Sequence, residues 1–270
     1  MAKLRVIFAR IRLPIFSIKH PETFQIMSCL PVPQPSTLIG ALAYCIGVSQ
    51  GSGLKAFENL KRSVEEGECC AARAKLIGVT AFSPIVLRRF RVADEYHKRM
   101  DFYEILSRGD YQEAKLFLEN KLIDAFYRGY AMGFEILCTW VTKNSLKIDE
   151  AAIHLLQRLG DTESLVTVSS TWIEEAEISE SSEIETPFPF PLNGAKVKQG
   201  DFMIVKMCNE KRVTEQFIIP IRHEIRQTAT GRVMTLEPTR VYAEFSHSIT
   251  YCETSEGCIV LTRGVIKNDE

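Results

Sequence analysis

Residues Lys3 to Arg12 alternate in part, with Leu4, Val6 and Phe8 on one face and Arg5, Ile7 and Arg10 on the other, which predicts a strand. A loop through Pro14, His20 and Pro21 leads to Pro31, Pro33 and Pro35, whose fixed φ and missing N–H groups forbid helix until the last is passed. Ser36 or Thr37 is then placed to cap the apolar run TLIGALAYCIGV. That run reads as a largely buried helix from Thr37 to about Val48, in which Gly40 and Gly47 would let a neighbouring backbone approach. Gly51 and Gly53 end it, and Leu54 to Val64 repeats at helical spacing.

Ala74 to Phe82 and the continuation IVLRRFRV predict one second strand, bent or interrupted at Pro84. From Asp101 to Arg128 the apolar spacing turns helical, an insertion between strands. Phe134 to Val141 reads as a third strand, EAAIHLLQRL as a helix capped by Asp149 and ended by Gly160, and Ser164 to Thr171 as a fourth strand. The resulting β, α, β, insertion, β, α, β order predicts an α+β fold with a ferredoxin-like (RRM-like) βαββαβ core, two helices on one face of an antiparallel sheet and the other face open. The expected organisation is a domain over 1–177 carrying a thumb-like insertion at about 88–130, an acidic and Pro-rich connector over 178–195, and a small β-rich C-terminal subdomain over 196–270 with FMIVKM, QFIIPI, RVYAEF and CIVLTRG as its strands.

With 270 residues, 46% of them hydrophobic, the chain buries a sizeable core, while a formal charge of -1 excludes a protein that grips nucleic acid by global charge. The charge is segregated: Lys3, Arg5, Arg10, Arg12 and Lys19 stand without an acid in the first 19 residues, and Glu174, Glu175, Glu177, Glu180, Glu183 and Glu185 crowd a later stretch. Eight cysteines form no CxxC pair, which predicts buried thiols in a reducing cytoplasm, with adjacent Cys69 and Cys70 read as a surface accident. No membrane span and no signal peptide are expected.

Five histidines fall in no HExxH, and GxSxG, P-loop and GxGxxG motifs are missing, so no catalytic residue, metal or cofactor is assigned. His154 reads as a packing residue, and His20 and His97 as exposed. The basic run Arg88, Arg89 and Arg91, followed by His97, Lys98 and Arg99 with Phe90 and Tyr96 between, suits single-stranded RNA, since guanidinium groups pair with phosphates and aromatic faces stack on bases. A charged edge strand explains the same run.

The segment LPVPQPSTLIGALAYCIG, residues 30–47, resembles the N-terminal signature of the CRISPR-associated Cas-five proteins of the RAMP superfamily, most like the archaeal I-A subtype. The basic first strand and RLGDTESLVTV, residues 158–168, are similar to the same family. The resemblance implies a subunit that caps the 5′ repeat-derived handle of crRNA in a type I (Cascade) interference complex for antiviral defence, packed against the backbone subunit and the large subunit. It implies RNA-binding roles for Pro35, Ser36, Thr37 and Gly40 at the helix start and for Arg10, Arg12, His20, Arg88, Arg89, Arg91, Lys98 and Arg99 on the flanking segments. Arg158 and Gly160 read first as a helix end. Two other readings stay open: a metal-independent endoribonuclease acting on CRISPR repeat RNA, and a protein-binding scaffold.

Overall fold

A computed structural model describes residues 3–22, 28–90, 96–146, 148–161, 164–228 and 231–262. The chain opens with β1 (Lys3–Arg12) and the short β2 (Ile15–Phe16), then passes through the proline segment into α1 (Pro35–Gln50) and α2 (Leu54–Glu65). Next come β3 (Cys69–Leu76), β4 (Thr80–Phe90), α3 (Tyr96–Ser107), α4 (Tyr111–Phe117), a π-helical turn over Leu118–Leu122 and β5 (Ile123–Met132). After β6 (Glu135–Lys143) and the single-turn α5 (Glu150–Ile153), β7 (Thr167–Thr186) leads to β8 (Phe190–Pro191), β9 (Ala195–Gln199), β10 (Met203–Cys208) and β11 (Thr214–Ile219). The last strands are β12 (Ile221–Thr228), β13 (Gly231–Pro238), β14 (Val241–Cys252) and β15 (Ile259–Val260).

The protein is α+β and strand-rich. Its main sheet runs β15-β14-β7-β1-β6-β3, with β9 added to β14, and all its pairings are antiparallel. Strand β1 lies in the middle because both of its faces are apolar. Ile7, Ala9 and Ile11 face a core that includes Leu38, Leu42 and Trp140, while Leu4, Val6 and Phe8 face a second core with Phe188, Cys252, Ile259 and Leu261. Each such fully buried Leu, Ile or Phe contributes about 1.5–3 kcal/mol. Arg10 follows the two-residue period and so shares the face of Phe8, not that of Ile7 as the partial alternation implied. The second core also corrects the expected open face: the C-terminal strands cover the Leu4 to Phe8 part of it, and among the described residues they leave the Arg10 and Arg12 end uncovered.

Helix α1 sits on the first face, where Trp140 Nε1 donates to Leu38 O at 3.0 Å. Its N-cap is Gln34 with no side-chain capping bond, and Pro35 begins the helix, so neither Ser36 nor Thr37 is the cap. Gly47 is the closely packed glycine, since a Cβ there would stand 3.0 Å from Gly53 O and 3.4 Å from Ala56 Cβ. Gly40 has nothing within 4 Å of an added Cβ and faces open space instead. In α2 the buried Ala56, Leu60, Ser63 and Val64 recur at helical spacing and turn one stripe inward.

The expected bent second strand is two strands in two sheets. β3 joins the main sheet, and β4 pairs with β5 over residues 81–90 in a second sheet ordered β12-β13-β4-β5-β2. Pro84 lies within β4, opposite Gly129, and does not end the strand. The β4–β5 hairpin carries α3 and α4 at its far end, with Asp110 capping α4 through Glu113 N at 2.9 Å. A third sheet, β10-β11-β8, lies against the start of α1: Cys208 N donates to Gln34 Oε1 at 2.9 Å.

Four further expectations change. The helix after Asp149 stops at Ile153 because the following chain forms an isolated bridge, Arg158 to Leu165, and Val166 N donates to Gln157 O at 3.0 Å. The acidic run is not a connector, since Glu174 to Glu185 form the greater part of the 20-residue β7. Cys69 and Cys70 are fully buried in β3, and His154, read as a packing residue, is exposed with Nε2 3.2 Å from Thr171 Oγ1.

Candidate nucleic-acid interface

The start of α1 and the chain after α5 enclose a groove of about 530 Å³ lined by Thr37, Gly40, Ala41, Tyr44, Gln157, Arg158, Leu159 and Gly160. Gly40 leaves its floor open, and Tyr44, 44% exposed, stands on one side. Arg158 is exposed and makes no ion pair among the described residues. The first turn of α1 holds no acidic side chain of its own to offset the positive end of this 16-residue helix. Gly160 takes φ +107 inside this wall, where a Cβ would come within 2.9 Å of Ile18 Cγ1 and 3.1 Å of Ser17 O. Its role is a tight turn against the Ser17 segment rather than a helix end. That segment is held by Arg128 of β5, which ion-pairs with Asp161 and donates from Nε to Ser17 Oγ at 3.1 Å. An exposed cation, an exposed ring and a helix start with no acidic side chain of its own suit a phosphate-linked, stackable ligand.

Thr37 and Gly40 therefore meet Arg158 and Gly160, while the other candidates are distributed around them. Pro35 is buried at the first position of α1, and Ser36 lies on its other side in a pocket of mixed charge with Lys61, Glu65, Glu210, Lys211 and Arg212. His20 is half-buried, its Nδ1 accepting from Glu22 N at 3.3 Å. Arg88 and Arg89 lie in β4 opposite Ala125 and Asp124, and Lys98 and Arg99 in α3, with the Arg99 guanidinium 5.4 Å from the Tyr96 ring centroid. Arg91 lies outside the described residues.

The second face of the sheet carries a separate cationic set. Arg73 and Lys75 of β3 lie on the same face as Arg10 and Arg12. The C-terminal region neutralises the first two: Arg73 pairs with Glu210, both 1% exposed, and Lys75 Nζ reaches Glu256 Oε2 at 2.9 Å and lies 4.7 Å from the Phe188 ring centroid. The turn at Ser255 is pinned by Glu174, which accepts from Ser255 N at 3.0 Å. Burial opposes ionisation of Glu174, but hydrogen bonds from Ser255 and Trp172 outweigh it and hold the carboxyl below its usual range. Arg12, by contrast, is half-exposed, with Nε 3.3 Å from Glu135 Oε1 and its guanidinium 5.4 Å from the Phe134 ring centroid. Phe134 and Tyr44 carried no base-stacking assignment from the sequence; Phe134 read only as the first residue of a strand.

Burial pushes the Cys29 thiol up to about 11 and those of Cys45, Cys70 and Cys252 to about 12. Among the described residues no group of three or more His, Cys, Asp or Glu side chains is placed to hold a metal ion. Among them, too, no helix is long and apolar enough to cross a membrane.

No family model matches the chain. It is similar to a CRISPR-associated protein Cas5 of Thermoproteus tenax, at 26% identity over 213 residues, 79% of this chain and 84% of that one. It is also similar to a CRISPR-associated protein Cas5 of Methanocaldococcus jannaschii, at 29% identity over 189 residues, 64% of this chain and 66% of that one. In fold it resembles the crystal structure of a CRISPR protein from Archaeoglobus fulgidus, with a TM-score of 0.58 at 15% identity, covering 96% of this chain and 99% of that chain. Both curated relatives are of one class, CRISPR-associated proteins, and the solved structure shares the fold. Within that class, the two curated relatives, reinforced by the Pro-rich approach to α1, support a member of the Cas5 family.

Proposed function

We propose that this protein caps the 5′ repeat-derived handle of crRNA within a type I, Cascade-type complex of the cytoplasm, and that it binds the RNA without cutting it. The central strands β7-β1-β6-β3, all antiparallel and joined through α1 and α5, are read as the ferredoxin-like core of a RAMP protein. The observation that carries the proposal is the groove at the start of α1, where Thr37, Gly40, Tyr44 and Arg158, which makes no ion pair among the described residues, converge. RNA that is single-stranded there would set a phosphate against Arg158 and the helix start and a base against Tyr44. The β4–β5 hairpin, with Arg88 and Arg89 along it and Lys98 and Arg99 on its helical end, is the thumb of this reading. A backbone subunit and a large subunit are its expected neighbours.

The test is equilibrium binding of end-labelled repeat RNA across a salt series, followed by a denaturing gel of the same mixtures in EDTA. Arg158→Gln is expected to weaken binding and to reduce the slope of log K against log salt by about 0.7, one phosphate on single-stranded RNA. An unchanged slope would remove Arg158 from the interface. Intact RNA is the expected gel result, whereas specific cleavage that purifies with the protein and is lost in His20→Ala or His97→Ala would establish the endoribonuclease reading instead.

A further inference from the structure

We infer that the uncovered end of the sheet's second face is a subsite for one unpaired RNA base and its phosphate, built from Phe134, Arg12 and Arg10. This deepens the handle-binding reading and rests on it.

The covered part of the face is closed by protein. Phe8 is fully buried, stacked on Trp172 with ring centroids 5.0 Å apart, and Phe188 and Glu256 lie over Lys75. Beyond Phe8 the next residue on the same face is Arg10, which makes no hydrogen bond or ion pair among the described residues and whose Nε is buried without a partner. A guanidinium left in that condition is stabilised by an anion reaching its outer nitrogens. Arg12 is one residue pair further along, steered by Glu135 and lying over the Phe134 ring.

Phe134 itself is 66% exposed on a backbone tied at both sides. Leu13 N donates to Phe134 O at 3.1 Å, and Gly133 N to Pro14 O at 3.2 Å. A Cβ at position 133 would stand 2.7 Å from Thr80 Oγ1, so this turn fits closely against β4. The result is a solvent-facing ring on a tied backbone, with one cation over it and, two residues back on β1, a second cation that has no partner among the described residues. A planar base joined to a phosphate matches all three groups: ring against ring, anion to Arg10, and Arg12 bridging the two. An apolar peptide side chain would leave Arg10 without its anion.

The experiment measures binding of repeat-derived RNA, and of a set in which each handle nucleotide in turn is abasic, to wild type, Phe134→Ala, Phe134→Tyr and Arg10→Gln. Phe134→Ala is expected to bind the intact RNA about 5- to 150-fold more weakly at unchanged salt slope, and Phe134→Tyr to stay within about twofold of wild type. Arg10→Gln is expected to lower the slope by about 0.7. One abasic position should weaken wild type yet add nothing in Phe134→Ala, a coupling that a structural role of the ring would not produce. Wild-type affinity in Phe134→Ala, or equal losses at every abasic position in both proteins, overturns the subsite while leaving handle binding intact. A folded wild-type protein that retains none of the RNA overturns the handle-binding reading and the subsite together.

Discussion

The ion pair between Arg73 and Glu210 offers the most direct test of how the C-terminal strands are held to the main sheet. Each side chain is 1% exposed. The carboxylate also accepts from Ala72 N and Thr262 Oγ1, both at 2.8 Å, and Arg73 Nη2 donates to Val260 O at 3.2 Å with its guanidinium 5.6 Å from the Phe217 ring centroid. The pair thus joins the edge strand β3 to the β10–β11 turn, to β15 and to Thr262 just after it. Arg73→Met leaves a buried carboxylate and Glu210→Gln a buried guanidinium, and removing one partner of such a pair costs about 3–5 kcal/mol. The double variant leaves no buried charge, keeps an amide oxygen for Ala72 N, and removes Arg73 Nε, which has no partner in the native protein. It is expected to recover about 2 kcal/mol or more over either single variant. Urea unfolding followed by tryptophan fluorescence and far-ultraviolet circular dichroism gives the four stabilities. Single variants within about 1 kcal/mol of wild type, or a double variant whose loss is the sum of the two, would refute the reasoning.

Gly40→Ala adds a methyl group to open space inside α1 and should raise stability by about 0.5–1 kcal/mol, seen in thermal melts, while lowering RNA affinity if the groove is occupied as proposed. Gly160→Ala should lower stability by about 1–3 kcal/mol in urea titrations, because the left-handed φ and the nearby Ser17 carbonyl both oppose a side chain. A thiol reagent at pH 8 should modify the native protein only at Cys208 and Cys258 among the eight cysteines, and all eight in denaturant. The raised thiols also set a sign with pH. Their contribution to stability is intact below the unfolded value of 9.0 and is lost as pH rises toward about 11–12, so the urea midpoint should fall on moving from pH 8 to pH 10.5.

Local chemistry made much of the first half legible. The prolines before α1, the two-residue period of Leu4, Val6 and Phe8, and the helical spacing of α2 each dictate their element through short-range sterics and patterning. What stayed hidden depends on distant pairing. EAAIHLLQRL has helical spacing, yet its second half is taken by a bridge to Leu165. The glutamates of β7 look like a solvated linker because alternation is blurred where one strand changes partners from β1 to β14. The candidate site divides in the same way: Thr37 and Gly40 are marked by the helix start, whereas the neighbouring Arg158 owes its position to a turn, and Phe134 to a backbone tie to Leu13.

Strand β7 pairs with β1 through Thr167 to Glu177 and with β14 from Ile178 to Thr186, without a break in the chain between the two. Recombination between related genes near residue 178 would therefore join half-strands rather than modules. Because side chains alternate faces at every residue, an insertion or deletion of one residue there would turn Ile184 outward and Glu183 and Glu185 into the core that now holds Phe190 and Val241. Exchanged C-terminal halves would be viable only where the parental registers agree to the residue, which makes this strand a barrier to modular shuffling although its surface chemistry resembles a linker.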